Sequence, residues 1–200
     1  MIKKGIKVAI LTLLTYLLQV TVPPLIKYGS APPNIALAVL AVVTVALGRK
    51  YIFLMSVAVG YLYEVMMPSM QYLNMLLYPI CCMVAALFFA DKSERKREEE
   101  RVRSERPRPQ LDPHLRGPLA AILSTVIYET VWLLYIYLTG VTVDSGHILR
   151  SVIVVVYTTL ITTVIQFPLR KWLGVYKLKR LHTPKDRHIS LFHRHRGGLN

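Results

Sequence analysis

Along this chain apolar residues gather in long blocks and charged residues crowd between them; the two classes do not alternate at a short period. A soluble domain interleaves them at helical or strand period, so the segregation points to an integral membrane protein. A helix needs ~20 apolar residues to cross ~30 Å of hydrocarbon. Six blocks meet or approach that length: residues 6–22, 34–48, 51–67, 71–90, 118–139 and 148–169. The second and third are short and separated only by Gly48-Arg49-Lys50. A single helix through both would put two cations at mid-membrane, so a tight hairpin is predicted. The expected fold class is all-α, a polytopic membrane protein of six transmembrane helices. Its parts are spans one to four over 1–90, a charged linker over 91–116, spans five and six over 117–170, and a basic tail over 171–200.

Charge gives these spans a direction. The formal net charge is +14. On a soluble chain that excess suggests nucleic acid; here the cations flank apolar blocks, so anionic membrane lipids are the expected partner and nucleic acid is not. With the N-terminus in the cytoplasm, every one of the 25 Lys and Arg residues except Lys27 and Arg150 falls on the cytoplasmic side. Cytoplasmic loops carry such an excess, which predicts both termini inside and a multi-pass protein of the cytoplasmic membrane. Lys27 and Arg150 stand near span ends, where a long side chain snorkels. Lys3, Lys4 and Lys7 before the first block imitate a secretory signal, but Pro23-Pro24 follows in place of a small-residue cleavage site, so this span is expected to be retained.

The soluble segments carry little chemistry. Asp91–Arg95 and Glu99–Arg103 are acid-then-base pairs four apart, which favour a solvated helix ended by Pro107 and Pro109. The tail interleaves Trp172, Leu173, Tyr176 and Leu178 with cations, a pattern suited to an acidic lipid surface. Adjacent Cys81 and Cys82 neither bridge nor make a metal site and read as small apolar fillers. No cofactor is expected.

Polar residues inside the apolar blocks are the candidate functional positions, because an intramembrane acid costs a few kcal/mol and faces the bundle interior. Glu64 and Asn74 are equidistant from Ser69, so an antiparallel hairpin levels them. Glu64 is expected either to pair with a donor such as the Asn74 amide or to be protonated. Ser56, Gly60 and Glu64 form one stripe with a small-xxx-small start that lets another helix approach closely. Ala121, Thr125 and Glu129 repeat the arrangement on the fifth block, with a tyrosine before each acid, Tyr63 and Tyr128. Thr12, Thr15 and Gln19 share one further face, and Thr159, Thr162 and Gln166 another; interhelical hydrogen bonding is their expected role.

The order of these features resembles a known family. Pro32-Pro33-Asn34 opens an apolar block ending in Leu47-Gly48-Arg49-Lys50; then come Gly60-Tyr61, Glu64, a short turn, Asn74 and Leu76-Leu77-Tyr78. This is similar to the rod-shape-determining protein D family, MreD, in which a proline-acid pair, a glycine-aromatic pair, an aspartate and an asparagine stand in that order. Here Asn34 replaces the first acid and Glu64 the aspartate. The resemblance implies a bacterial inner-membrane component of the cell-elongation machinery. Its partners would be the membrane-anchored, single-span MreC and, indirectly, the MreB filament and the glycosyltransferase-transpeptidase pair that builds peptidoglycan. It also implies a bundle similar to the substrate-binding subunits of vitamin transporters.

Two functions follow as expectations. The first is a non-catalytic scaffold, since the blocks contain no nucleophile–base set, phosphate-cradling glycine loop or metal-ligand spacing, and an enzyme is not expected. Its partner-docking or hairpin-fixing candidates are Pro33, Asn34, Ser56, Gly60, Glu64, Asn74, Tyr78 and Glu129, with the partner's helix against the outer half of the third-to-fourth hairpin. The alternative is a small-solute-binding subunit of a vitamin-type transporter.

Overall fold

The computed structural model describes residues 2–26, 31–66, 72–90 and 112–174. The turn around Pro68, most of the charged linker and the tail beyond Gly174 lie outside these residues, and with them the expectations placed there. The described chain is all-α. Its helices are α1 (Ile2–Thr21), the one-turn α2 (Pro23–Ile26), α3 (Ile35–Leu47), α4 (Arg49–Met66), α5 (Leu73–Phe89), α6 (Pro113–Leu138) and α7 (Ser145–Leu173). Each apolar block carries one main helix, of 13 to 29 residues.

The boundaries differ from expectation where capping chemistry decides them. α6 begins inside the segment read as linker, because Asp112 occupies the N-cap and Pro113 the first helical position, where a missing N–H does no harm. α7 runs through Pro168 to Leu173 and stops at Gly174, whose φ of 75° is left-handed. Arg170 and Lys171 sit in its last turn, where cations complement the helix dipole.

Among the described residues, two helices, His114–Leu138 and Ser145–Leu173, have both the length and the apolar composition to cross a membrane. α4 carries Arg49, Lys50 and Glu64, while the 13 residues of α3 rise only ~20 Å at ~1.5 Å each.

α3 is the axis of the molecule. Its sequence, IALAVLAVVTVAL, has no polar face, and a helix that is apolar all round is buried. Every residue from Ile35 to Val45 is buried. α1, α4, α5, α6 and α7 all pack on it. The α4–α5, α6–α7 and α5–α6 pairs are the other main contacts, and α1 also lies on α4. Gly60 permits the α4–α5 contact: a Cβ there would stand 2.8 Å from the Asn74 carbonyl oxygen and 3.1 Å from Met75 Cα.

Polarity is distributed inside out. Leu13, Leu54, Leu76, Phe88, Val152 and Val164 face outward, whereas Thr15, Thr44, Ser56, Thr125, Thr158 and Thr162 are sealed within. Most of these hydroxyls do not bridge helices, contrary to expectation. Thr12, Thr15, Thr159 and Thr162 donate to Val8, Leu11, Val155 and Thr158 carbonyls of their own helices at 2.6–2.8 Å, because a helical hydroxyl reaches its own i−4 carbonyl first.

Candidate functional site, a polar cluster and cavity at the α3 N-terminus

The cluster gathers around two helix N-termini, each of which leaves four backbone N–H groups without intrahelical acceptors. At α5 the N-cap is Tyr72, held at φ 68° and giving no side-chain cap. Glu64 supplies the acceptors from α4. Its Oε1 accepts from Tyr72 N at 2.8 Å and its Oε2 from Asn74 N at 3.1 Å. A carboxylate at a helix N-terminus also meets the positive end of the dipole. Glu64 therefore pairs with Asn74 as the spacing implied, but through the backbone N–H and not the side-chain amide.

At α3 the N-cap is Asn34, whose Oδ1 accepts from Leu37 N at 3.0 Å and from the Tyr78 hydroxyl at 3.3 Å. Asn34 N donates to Thr158 Oγ1 of α7 at 3.0 Å, and Ala36 N donates to Gln19 Oε1 of α1 at 2.8 Å. One buried helix end thus ties α1, α5 and α7 to α3. Tyr78, fully buried, stacks edge-on against Tyr128 with ring centroids 5.4 Å apart, and the Tyr128 hydroxyl donates to Asn74 Oδ1 at 2.8 Å. The Pro33-Asn34, Glu64, Asn74 and Tyr78 positions form one network, and Gly60 gives the helix contact beside it.

Glu129 has a different partner from Glu64. Its Oε2 accepts from Ser151 Oγ of α7 at 2.7 Å, and no hydrogen bond joins the two acids. Arg150 lies over the Trp132 ring, 4.3 Å from its centroid. Above the α3 N-terminus these groups border a cavity of about 210 Å³, lined by Gln19, Pro32, Pro33, Asn34, Tyr63, Asn74, Tyr128, Glu129, Trp132, Arg150 and Val154. A wider depression of about 400 Å³ shares Trp132 and Arg150 and adds Asp144, Gly146 and His147. Asp144 caps α7 through Ser145 N at 2.7 Å, which explains its place beside His147 without chemistry. No group of three or more His, Cys, Asp or Glu that could hold a metal ion exists among the described residues.

The small-residue stripe requires a correction. Ser56 is fully buried, with its hydroxyl on the Phe53 carbonyl, and Gly60 is occupied by α5. Ala121, Thr125 and Glu129 of α6 are buried as well. Both stripes serve contacts within the chain, so neither offers a face to another protein. Sequence reasoning missed Trp132, Ser151 and Thr158 and read Arg150 only as a snorkelling cation. The available signal was the spacing of Ser151, Thr158, Thr162 and Gln166, which share the buried face of α7; the chosen Thr159 lies one residue off it.

The chain matches no protein-family model, no curated protein and no solved structure.

Proposed function

We propose that the chain is a membrane-embedded scaffold without catalytic activity. Six helices, α1 and α3 to α7, lie in the cytoplasmic membrane with both termini in the cytoplasm. The inside-out distribution of polarity supports this reading, since lipid accepts an apolar exterior and tolerates backbone ends only where protein satisfies them. The shortness of α3 is compatible with it, because a helix enclosed by five others faces protein along its length. The basic flanks at Arg49-Lys50 and Arg170-Lys171 belong to the cytoplasmic side.

Within that class we place it with the MreD-like components of the bacterial cell-elongation machinery. The observation that carries this is the convergence of the resembling positions: Asn34, Glu64, Asn74 and Tyr78 join two buried helix ends in one network. Their role is to fix the bundle's shape. The single-span MreC-like partner then docks on the outward apolar faces and not on the Ser56–Gly60 stripe, and the MreB filament and peptidoglycan-building pair are reached through it.

The test is co-expression with the single-span protein, affinity capture from detergent, and depletion in a rod-shaped host. Retention of the partner and rounding of depleted cells are expected. Unchanged rods together with no retained partner would end this reading.

A further inference from the structure

The cavity above α3 is more than a gap between helices, because of what its lining side chains leave unused. Asn34 Oδ1 and Asn74 Oδ1 are committed to protein donors, Asn34 to Leu37 N and the Tyr78 hydroxyl, Asn74 to the Tyr128 hydroxyl. Those bonds fix the orientation of both amides and leave each Nδ2 as the free donor end. Asn34 is 7% exposed and Asn74 1%, yet neither nitrogen finds a protein acceptor among the described hydrogen bonds, and neither is sealed from the cavity both residues line. Buried amide donors do not persist without an acceptor, so something in the cavity accepts from them. The Arg150 guanidinium, engaged within the protein but carrying five N–H groups, adds positive charge to the lining, and the Glu129 carboxylate, which already accepts from Ser151 Oγ, adds negative charge. The space holds about seven waters at ~30 Å³ each, a volume below that of drug-sized pockets.

We propose that this cavity binds a small ammonium–phosphate zwitterion. Asn34 Nδ2, Asn74 Nδ2 and Arg150, contributed by three helices to one cavity lining, donate to the phosphate, whose oxygens are enough to accept from all three. Glu129 takes the ammonium, and the Trp132 and Tyr63 rings wall the site. The depression that shares Trp132 and Arg150 gives the second phosphodiester substituent a way out. The same chemistry is carried by an ethanolamine phospholipid headgroup and by its free glycerol phosphodiester. The inference is independent of the scaffold reading, and its failure leaves partner capture untouched.

The experiment uses the purified full chain in a Trp172→Phe background, so that Trp132 alone reports by fluorescence. Glycerophosphoethanolamine and glycerol 3-phosphate are titrated as free solutes. In parallel the protein is placed in nanodiscs of phosphatidylethanolamine or of phosphatidylglycerol, and its melting temperature is measured. A saturable signal is expected, with glycerophosphoethanolamine preferred over glycerol 3-phosphate. Response to the free solute assigns a soluble ligand; a melting temperature raised only by phosphatidylethanolamine assigns the headgroup. Asn74→Asp and Asn34→Asp keep the oxygen that accepts from protein and replace the donor with an acceptor. Each should weaken the response by about tenfold or more, equivalent to ~1.4 kcal/mol. Glu129→Gln should abolish the preference for the ammonium. If one variant fails to fold, the other two carry the test. Silence in both arms, or a response indifferent to the variants that fold, overturns the proposal.

Discussion

At the scale of single residues, Glu64 is the clearest case of a costly group kept for a structural reason. Glu64→Leu strands the N–H groups of Tyr72 and Asn74, at about 1–3 kcal/mol for each buried donor left unsatisfied. Glu64→Gln retains one acceptor oxygen and should lose less. Thermal unfolding in detergent should therefore rank the wild type above Gln and Gln above Leu. Tyr72 is the complementary case. Its left-handed backbone at φ 68° costs about 1–2 kcal/mol for a residue with a Cβ, and its side chain is exposed. Tyr72→Gly is expected to raise the melting temperature slightly, since glycine adopts that region freely and its greater unfolded-state freedom offsets only part of the gain. The Glu64–Asn74 relation was legible from equal distance to a turn. The donor was not, because a backbone N–H has no letter in the sequence, and the left-handed Tyr72 that aims it carries a residue type that avoids that region.

At the scale of elements, Gly60 and Gly117 give opposite expectations for the same substitution. A Cβ at Gly60 meets the backbone of Asn74 and Met75, which moves only if α5 moves. Gly60→Ala should destabilise by about 1–3 kcal/mol, as overpacking does, despite alanine's better helix propensity. At Gly117 the obstacle is the Gln166 Oε1 atom at 2.8 Å, the end of a side chain with rotamer choices. That oxygen has no hydrogen-bond partner, so displacing it breaks none. Gly117→Ala is expected to be milder, and unfolding transitions of the two variants measured side by side decide the order. The helices themselves were readable from block length and from α3's all-apolar composition. Spacing marks the Ser56–Gly60 stripe as a close-contact surface, and the structure fills it with α5 and leaves no free face there. Spacing says that a helix approaches, and in a hairpin the nearest helix is the next one along the chain.

At the scale of the whole molecule, the prediction concerns sidedness. If both termini lie in the cytoplasm as proposed, a reporter cysteine placed at Gly140, in a Cys81→Ala, Cys82→Ala background, should react with an impermeant maleimide in intact cells, and one placed near Asn200 only after lysis. The reverse pattern would invert the proposed topology. The cavity was not legible in the sequence, for a physical reason. Its lining comes from α1, the segment before α3, α4, α5, α6 and α7, and no local pattern signals that side chains so far apart in the chain will share a space. What the sequence did contain was most of the ingredients, since Asn34, Asn74 and Glu129 stand out as polar groups within apolar surroundings.

The enclosure of α3 also imposes an order in time. Asn34 N has its acceptor in Thr158, 124 residues later, and α6 and α7 form much of the wall around α3. During synthesis the first half of the chain must wait with its central helix only partly covered and Asn34 N without its acceptor until the last hairpin is made. Maturation is therefore a closing step governed by the C-terminal hairpin, and a nascent chain halted before α6 is the form a chaperone or quality-control protease would recognise.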